Sequence, residues 1–131
     1  MLRTSERARS ELADRLATLI EGTAPPRLIF YDGAMPPAPD AQPVDQQVLA
    51  VLFLRSPAFA TDGLGAMIAL PIDPRPGLRA GTATWARILN GDGDPVADLD
   101  VGGPGTDADI ILNQPISAGP VEISHFEIRF F

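Results

Sequence analysis

"TATWARILNGDGDPVADLDV", residues 82–101, is the stretch on which the fold turns. Two alternating runs flank a turn-rich pentapeptide. In the first, Ala83, Trp85, Arg87 and Leu89 share one face, and Thr82, Thr84, Ala86 and Ile88 the other. In the second, Ala97, Leu99 and Val101 point inward while Asp98 and Asp100 point to water. A side-chain period of two belongs to a strand with one face on a core. Between the runs, Asn90-Gly91 and Asp92-Gly93 are dipeptides that supply positive φ at tight turns. The stretch reads as a β-hairpin.

Its acids invite two other readings, and both fail on residue type. With Asn90, Asp92 and Asp94 as the first three ligands of an EF-hand loop, Pro95 falls where the sharp-turn glycine belongs and Val101 where the bidentate glutamate belongs. As a glycosidase-like pair, Asp98 and Asp100 lack a neighbour that would raise one pKa and leave the other carboxylate ionised. They read as a solvated face.

Outward from the hairpin, residues 4–21 read as the only helix. Leu12, Leu16, Leu19 and Ile20 form its apolar face, Thr4 or Ser5 caps its start, and Gly22 with Pro25-Pro26 ends it. Residues 27–32, 46–54, 66–72, 109–113 and 121–131 read as further strands. The proline-rich stretch 33–45 is a loop, and 55–65 is irregular with Phe59 as a buried plug. In the last strand the apolar phase moves from Val121 and Ile123 to Phe126, Ile128 and Phe130, which calls for a bulge near Ser124-His125. The expectation is one mainly β domain over residues 1–131: an N-terminal α-helix (4–21) followed by a β-sandwich or jelly-roll body (27–131). No second helix is present to cross over between parallel strands.

The totals bound the function classes. At 131 residues the chain has room for one domain. It has no cysteine, hence no disulfide, thiolate metal site or cysteine nucleophile. A net charge of −7 provides no basic footprint for nucleic acid. The N-terminal "MLRTSERARSEL" lacks the apolar core of a signal peptide. No apolar run approaches the roughly 18 residues of a membrane span. All ten basic residues are arginine, which fits a GC-rich coding sequence and also suits bidentate pairing with carboxylates.

Other chemical candidates reduce to structure. "GGPGTDADI", residues 102–110, approaches a calcium β-roll nonapeptide, but Asp109 occupies its large apolar position and only one copy exists; it reads as a glycine-rich turn. His125 is the only histidine, and Ser124 beside it points to the opposite face of a strand, so the pair is no catalytic dyad. Trp85 is a core residue or, in a carbohydrate-binding module, a stacking platform. Leaving Phe130 and Phe131 in water would cost roughly 1.5–3 kcal/mol each, so they pack on their own sheet or on another subunit.

Several segments together carry a resemblance. They are an L-x-I-Y-x-G-like element at residues 28–33 with phenylalanine inside, G-T-A-x-W-x-R-I at 81–88, and D-x-x-L-N-x-x-I-x-x-G-x-V-x-I at 109–123, with departures in the acidic Asp109 and the end at Phe131. In order and spacing they resemble a family of small tailed-bacteriophage and prophage virion proteins, most like capsid cement or decoration proteins. The resemblance implies a non-enzymatic structural protein with no cofactor and no catalytic or metal-binding residues. It would be made in the host cytoplasm and sit in the virion, on the capsid exterior. Its partners would be the major capsid protein or other virion proteins and further copies of itself, as a dimer or trimer, with no nucleic acid or membrane. A head–tail or tail component is the alternative within the class; a small carbohydrate-binding β-sandwich lies outside it. For a docking role, the expected contacts are Arg3 just before the helix and Arg7 on it, Tyr31, Pro36 and Pro37 at the proline loop, and Arg129, Phe130 and Phe131 at the C-terminus.

Overall fold

A computed structural model describes residues 5–130 of the chain. Helix α1 (Glu6–Ile20) precedes eight strands: β1 (Arg27–Tyr31), β2 (Val48–Phe53), β3 (Phe59–Thr61), β4 (Ala66–Ala69), β5 (Trp85–Leu89), β6 (Pro95–Gly102), β7 (Ile110–Leu112) and β8 (Ile123–Arg129). The expected mainly β architecture with one N-terminal helix is found.

Ser5 caps α1: its hydroxyl accepts from the Ala8 N–H at 3.1 Å, and Glu6 lies in the first turn. The buried face differs from the leucine stripe expected above. Ala13 and Ile20 are fully buried, and Leu16 and Ala17 pack against the core, whereas Leu12 and Leu19 remain 46% and 45% exposed. The set 13, 16, 17, 20 is itself a helical face. Two alanines in it let the helix approach β3 and β4 closely. The C-terminus also departs from expectation. Glu21 ends the helix in an extended conformation, and the positive-φ residues do not include Gly22. Gly22 is required for proximity instead, since a Cβ there would lie 2.6 Å from the Gly91 Cα.

The strands form one sheet in the order β2-β1-β5-β6-β7-β8-β4-β3, antiparallel except between β6 and β7. Its edges, β2 and β3, are joined by residues 54–58 alone. Flat, eight strands would hold their edges about 34 Å apart, from seven spacings of about 4.8 Å. The six Cα–Cα steps available span at most about 22 Å. The sheet therefore curls, and β2-β1-β5-β6 faces β7-β8-β4-β3 in a sandwich-like arrangement. Leu28, Phe30, Ala86, Ile88 and Leu99 from the first half share a core cluster with Phe59, Met67, Ile110, Phe126 and Ile128 from the second. The corner is the short parallel pairing of β6 and β7, two residues long.

The bulge expected in the last strand is present. Ile111 pairs with His125 and Leu112 with Ile123, so Ser124 is passed over, and its hydroxyl donates to the Ile111 carbonyl. One end of the sandwich is tied by an irregular ribbon. Val121 N–H donates to Arg75 O, Gly77 N–H to Gly119 O, and Gly81 and Ile116 exchange both bonds. The N–H groups of Leu78 and Arg79 both donate to Leu49 O, which hooks this ribbon onto β2.

Candidate functional site

The outer face of β1, β5 and β6 is built from residues in lateral register: Tyr31 opposite Trp85, Trp85 opposite Asp100, and Arg87 opposite Asp98. Strand alternation turns these side chains away from the main core cluster. All but Asp100 are nevertheless dry, because loop 33–47 folds back over them. The side chains of Arg87 and Asp98 are each only 4% exposed. Arg87 Nε and Nη2 donate to the two Asp98 carboxylate oxygens at 2.7 and 3.0 Å. Its Nη1 donates to Ala41 O at 2.7 Å and its Nη2 to Ala38 O at 3.4 Å. The reading of Asp98 as a solvated carboxylate is thus overturned by a segment more than 50 residues away in sequence; Asp100 is exposed as expected.

Four of the five guanidinium N–H groups are engaged in this way. Asp98 raises the Arg87 pKa chiefly through its hydrogen bond, against the opposing effect of burial. The guanidinium also lies 5.3 Å over the Trp85 ring, which stacks on Tyr31 at 4.3 Å between centroids. The Trp85 indole N–H donates to Asp32 O and the Thr84 hydroxyl to Gly33 O, holding the start of the loop. At its far end the Gln46 amide donates to Ala34 O, the Val44 N–H donates to Gln46 Oε1, and the Gln47 N–H donates to Asp32 Oδ1. A turn at the tip, Ala41 N–H to Ala38 O, contains Pro39. The proline-rich loop is thus fixed at both ends and from beneath, and it turns Met35, Pro37 and Val44 to the outside, Val44 being 86% exposed.

One expected contact residue is therefore corrected, and the alternative reading of Trp85 as a stacking platform falls away. Tyr31 is buried under the loop, and burial raises its phenol pKa above the usual 10.0. Trp85 is 1% exposed with one face on Tyr31, so it cannot serve as a sugar platform. Pro36 is half-buried and Pro37 exposed in the loop. Arg7 is exposed and pairs with Glu11 one turn on. Arg129 bonds Glu127, and Phe130 packs against the protein's own core. Arg129 and Phe130 line a shallow depression with Arg9, Asp62, Gly65 and Glu127, apart from the proline loop. Among the described residues the expected contacts do not form one patch. Arg3 and Phe131 lie outside the described residues.

Elsewhere the acids act on the backbone. Asn90 Oδ1 accepts from the N–H groups of Asp92 and Asp94, and Gly93 has φ +90°, so the hairpin reading holds. Of its two glycines, Gly93 takes positive φ; Gly91 is held against residues 22–24. Asp62 accepts from Leu64 and Ala66 N–H, which lowers its pKa. Asp109 accepts the Asp100 N–H at 3.2 Å, and burial raises its pKa. His125 lies 3.5 Å from Glu127, whose pKa is lowered chiefly by its hydrogen bond from Arg129. Among the described residues no three His, Cys, Asp or Glu side chains converge as a metal site.

Comparison with family models, with curated proteins and with solved structures returns no match.

A buried guanidinium with four of its five N–H groups engaged is unsuited to binding a substrate. It suits the fixing of a loop, and what it fixes is an apolar, proline-rich ridge open to solvent. The ridge was foreseen as a loop, but not its clamp. The signal for it in the sequence was faint: an arginine alternating with Trp85 on a strand face is a cation in need of a buried partner.

Proposed function

We propose that this protein is a non-enzymatic structural component of a tailed-phage particle, a capsid cement or decoration protein that binds the assembled head shell. The resemblance in segments 28–33, 81–88 and 109–123 supports the reading. The observation that carries it is the Arg87 clamp beneath the exposed loop. A docking element loses affinity to whatever conformational freedom it gives up on binding, and a loop already immobilised in the free protein gives up little. Many copies bound in this way stabilise an assembled shell by mass action, because they favour the assembled state over the dissociated one. Met35, Pro37 and Val44 are the apolar contacts in this reading, with the major capsid protein as partner.

The test is mass spectrometry and cryo-EM of particles purified from the source strain. The chain should be present at a fixed copy number per capsomer, with loop 33–47 against the shell. Particles that lack the chain would rule the proposal out. Met35→Asp with Val44→Asp should abolish binding to shells without lowering the melting temperature.

A further inference from the structure

The half-sheet β2-β1-β5-β6 has two margins of opposite charge. At the β6 margin, Val101 N–H donates to Thr84 O, which sets the phase of the ladder: Ala97, Leu99 and Val101 bond toward β5, and Val96, Asp98 and Asp100 turn their backbone groups outward. Outward, β7 reaches only Val101 and Gly102, and the Asp109 carboxylate takes the Asp100 N–H. Among the described residues, the outward N–H and C=O of Val96 and Asp98 have no partner strand. Exposed Asp94 and Asp100 lie at this margin, and neither is in an ion pair. No Lys or Arg occurs between Arg87 and Arg129.

The β2 margin is the reverse. Residues 75–79 are hooked onto Leu49 and present exposed Arg75 and Arg79, with Leu78 69% exposed between them. Arg75 lies 4.5 Å over Phe53, itself 38% exposed, and no described acid pairs with Arg75 or Arg79. β1 and β5 separate the margins by three strand spacings, about 14 Å, and the margins point in opposite directions. One molecule cannot bring them together; two can.

We infer that the protein self-associates head to tail, the Arg75/Arg79/Leu78 margin of one copy docking on the acidic β6 margin of the next. A symmetric β6-to-β6 contact would set Asp94 and Asp100 against their own copies, and a β2-to-β2 contact would oppose arginines; like charges in register disfavour both. Such a heterologous contact closes into a ring or continues as a filament according to its rotation. The inference goes beyond the proposed particle role and does not depend on it.

The test is sedimentation velocity on the full chain at low and high salt. At low salt the mass should be a multiple of 13.9 kDa, falling toward the monomer as salt screens the contact. Arg75→Glu/Arg79→Glu and Asp94→Arg/Asp100→Arg should each be monomeric alone and should form a complex when mixed. Near-UV circular dichroism verifies that both are folded. A wild type that stays monomeric at low salt and high concentration overturns the inference. So does association that survives either reversal, and so does a mixture of the two variants that remains monomeric.

Discussion

Arg87 is held by four hydrogen bonds in a site closed to water, and its removal leaves Asp98 charged and unpaired. Breaking a buried pair from one side typically costs about 3–5 kcal/mol, so Arg87→Ala should lower stability by that amount in denaturant titrations. Arg87→Met with Asp98→Leu should recover most of the loss, because no charge is then stranded. The double variant still lacks the donors to Ala38 and Ala41, so amide exchange in loop 33–47 should quicken while that of β5 and β6 does not. Tyr31, beneath the same loop, is the only tyrosine, so absorbance at alkaline pH reports on it alone. Burial raises its folded pKa above 10.0. Between the unfolded and folded values the native state keeps a proton that the unfolded chain releases. Stability should therefore fall as pH rises through this window. Tyrosinate should appear later than in the urea-unfolded protein; coincident titrations would contradict the burial.

At the scale of elements, α1 discriminates between two overlapping faces that share Leu16 and Ile20. Ile20→Ala should cost about 2–5 kcal/mol, as for a fully buried aliphatic side chain. Leu19→Ala, one residue away and half-exposed, should stay within about 0.5 kcal/mol. The reverse order would restore the leucine-centred face. The hairpin between β5 and β6 presents a similar contrast. A Cβ on Gly91 would lie 2.2 Å from Ala24 O and 2.7 Å from the Gly22 Cα, both backbone atoms, so Gly91→Ala should destabilise by about 1–3 kcal/mol. Gly103→Ala, where a Cβ meets nothing within 4 Å, should leave the melting temperature nearly unchanged.

For the whole molecule, the curl of the sheet and one shared core cluster make the helix and both halves of the sandwich mutually dependent. Heating at high salt should give a single calorimetric transition. At roughly 0.7 kcal/mol per residue near 60 °C its enthalpy is about 90 kcal/mol, equal to the van't Hoff value. Two separate transitions would mean that the halves fold independently.

What the sequence by itself determined were the features carried by neighbours along the chain. The period-two runs around Trp85 and Leu99 specified a hairpin, with Leu99 and Val101 inward on its second strand, the prolines of 33–45 specified a loop, and the phase change at Ser124-His125 specified a bulge. These follow from backbone geometry within a few residues. Only the tertiary structure decided which outward-facing groups are wet. Asp98 and Asp100 are indistinguishable in the pattern, yet one is roofed by loop 33–47 and bonded to Arg87 while the other stands in water. The helix face was decided in the same way: its leucines pointed to one stripe, but the seat offered by β3 and β4 selected Ala13, Leu16, Ala17 and Ile20. Alternation sets the direction of a side chain. Whether water reaches it depends on segments that arrive from elsewhere in the chain, and no local period encodes their arrival.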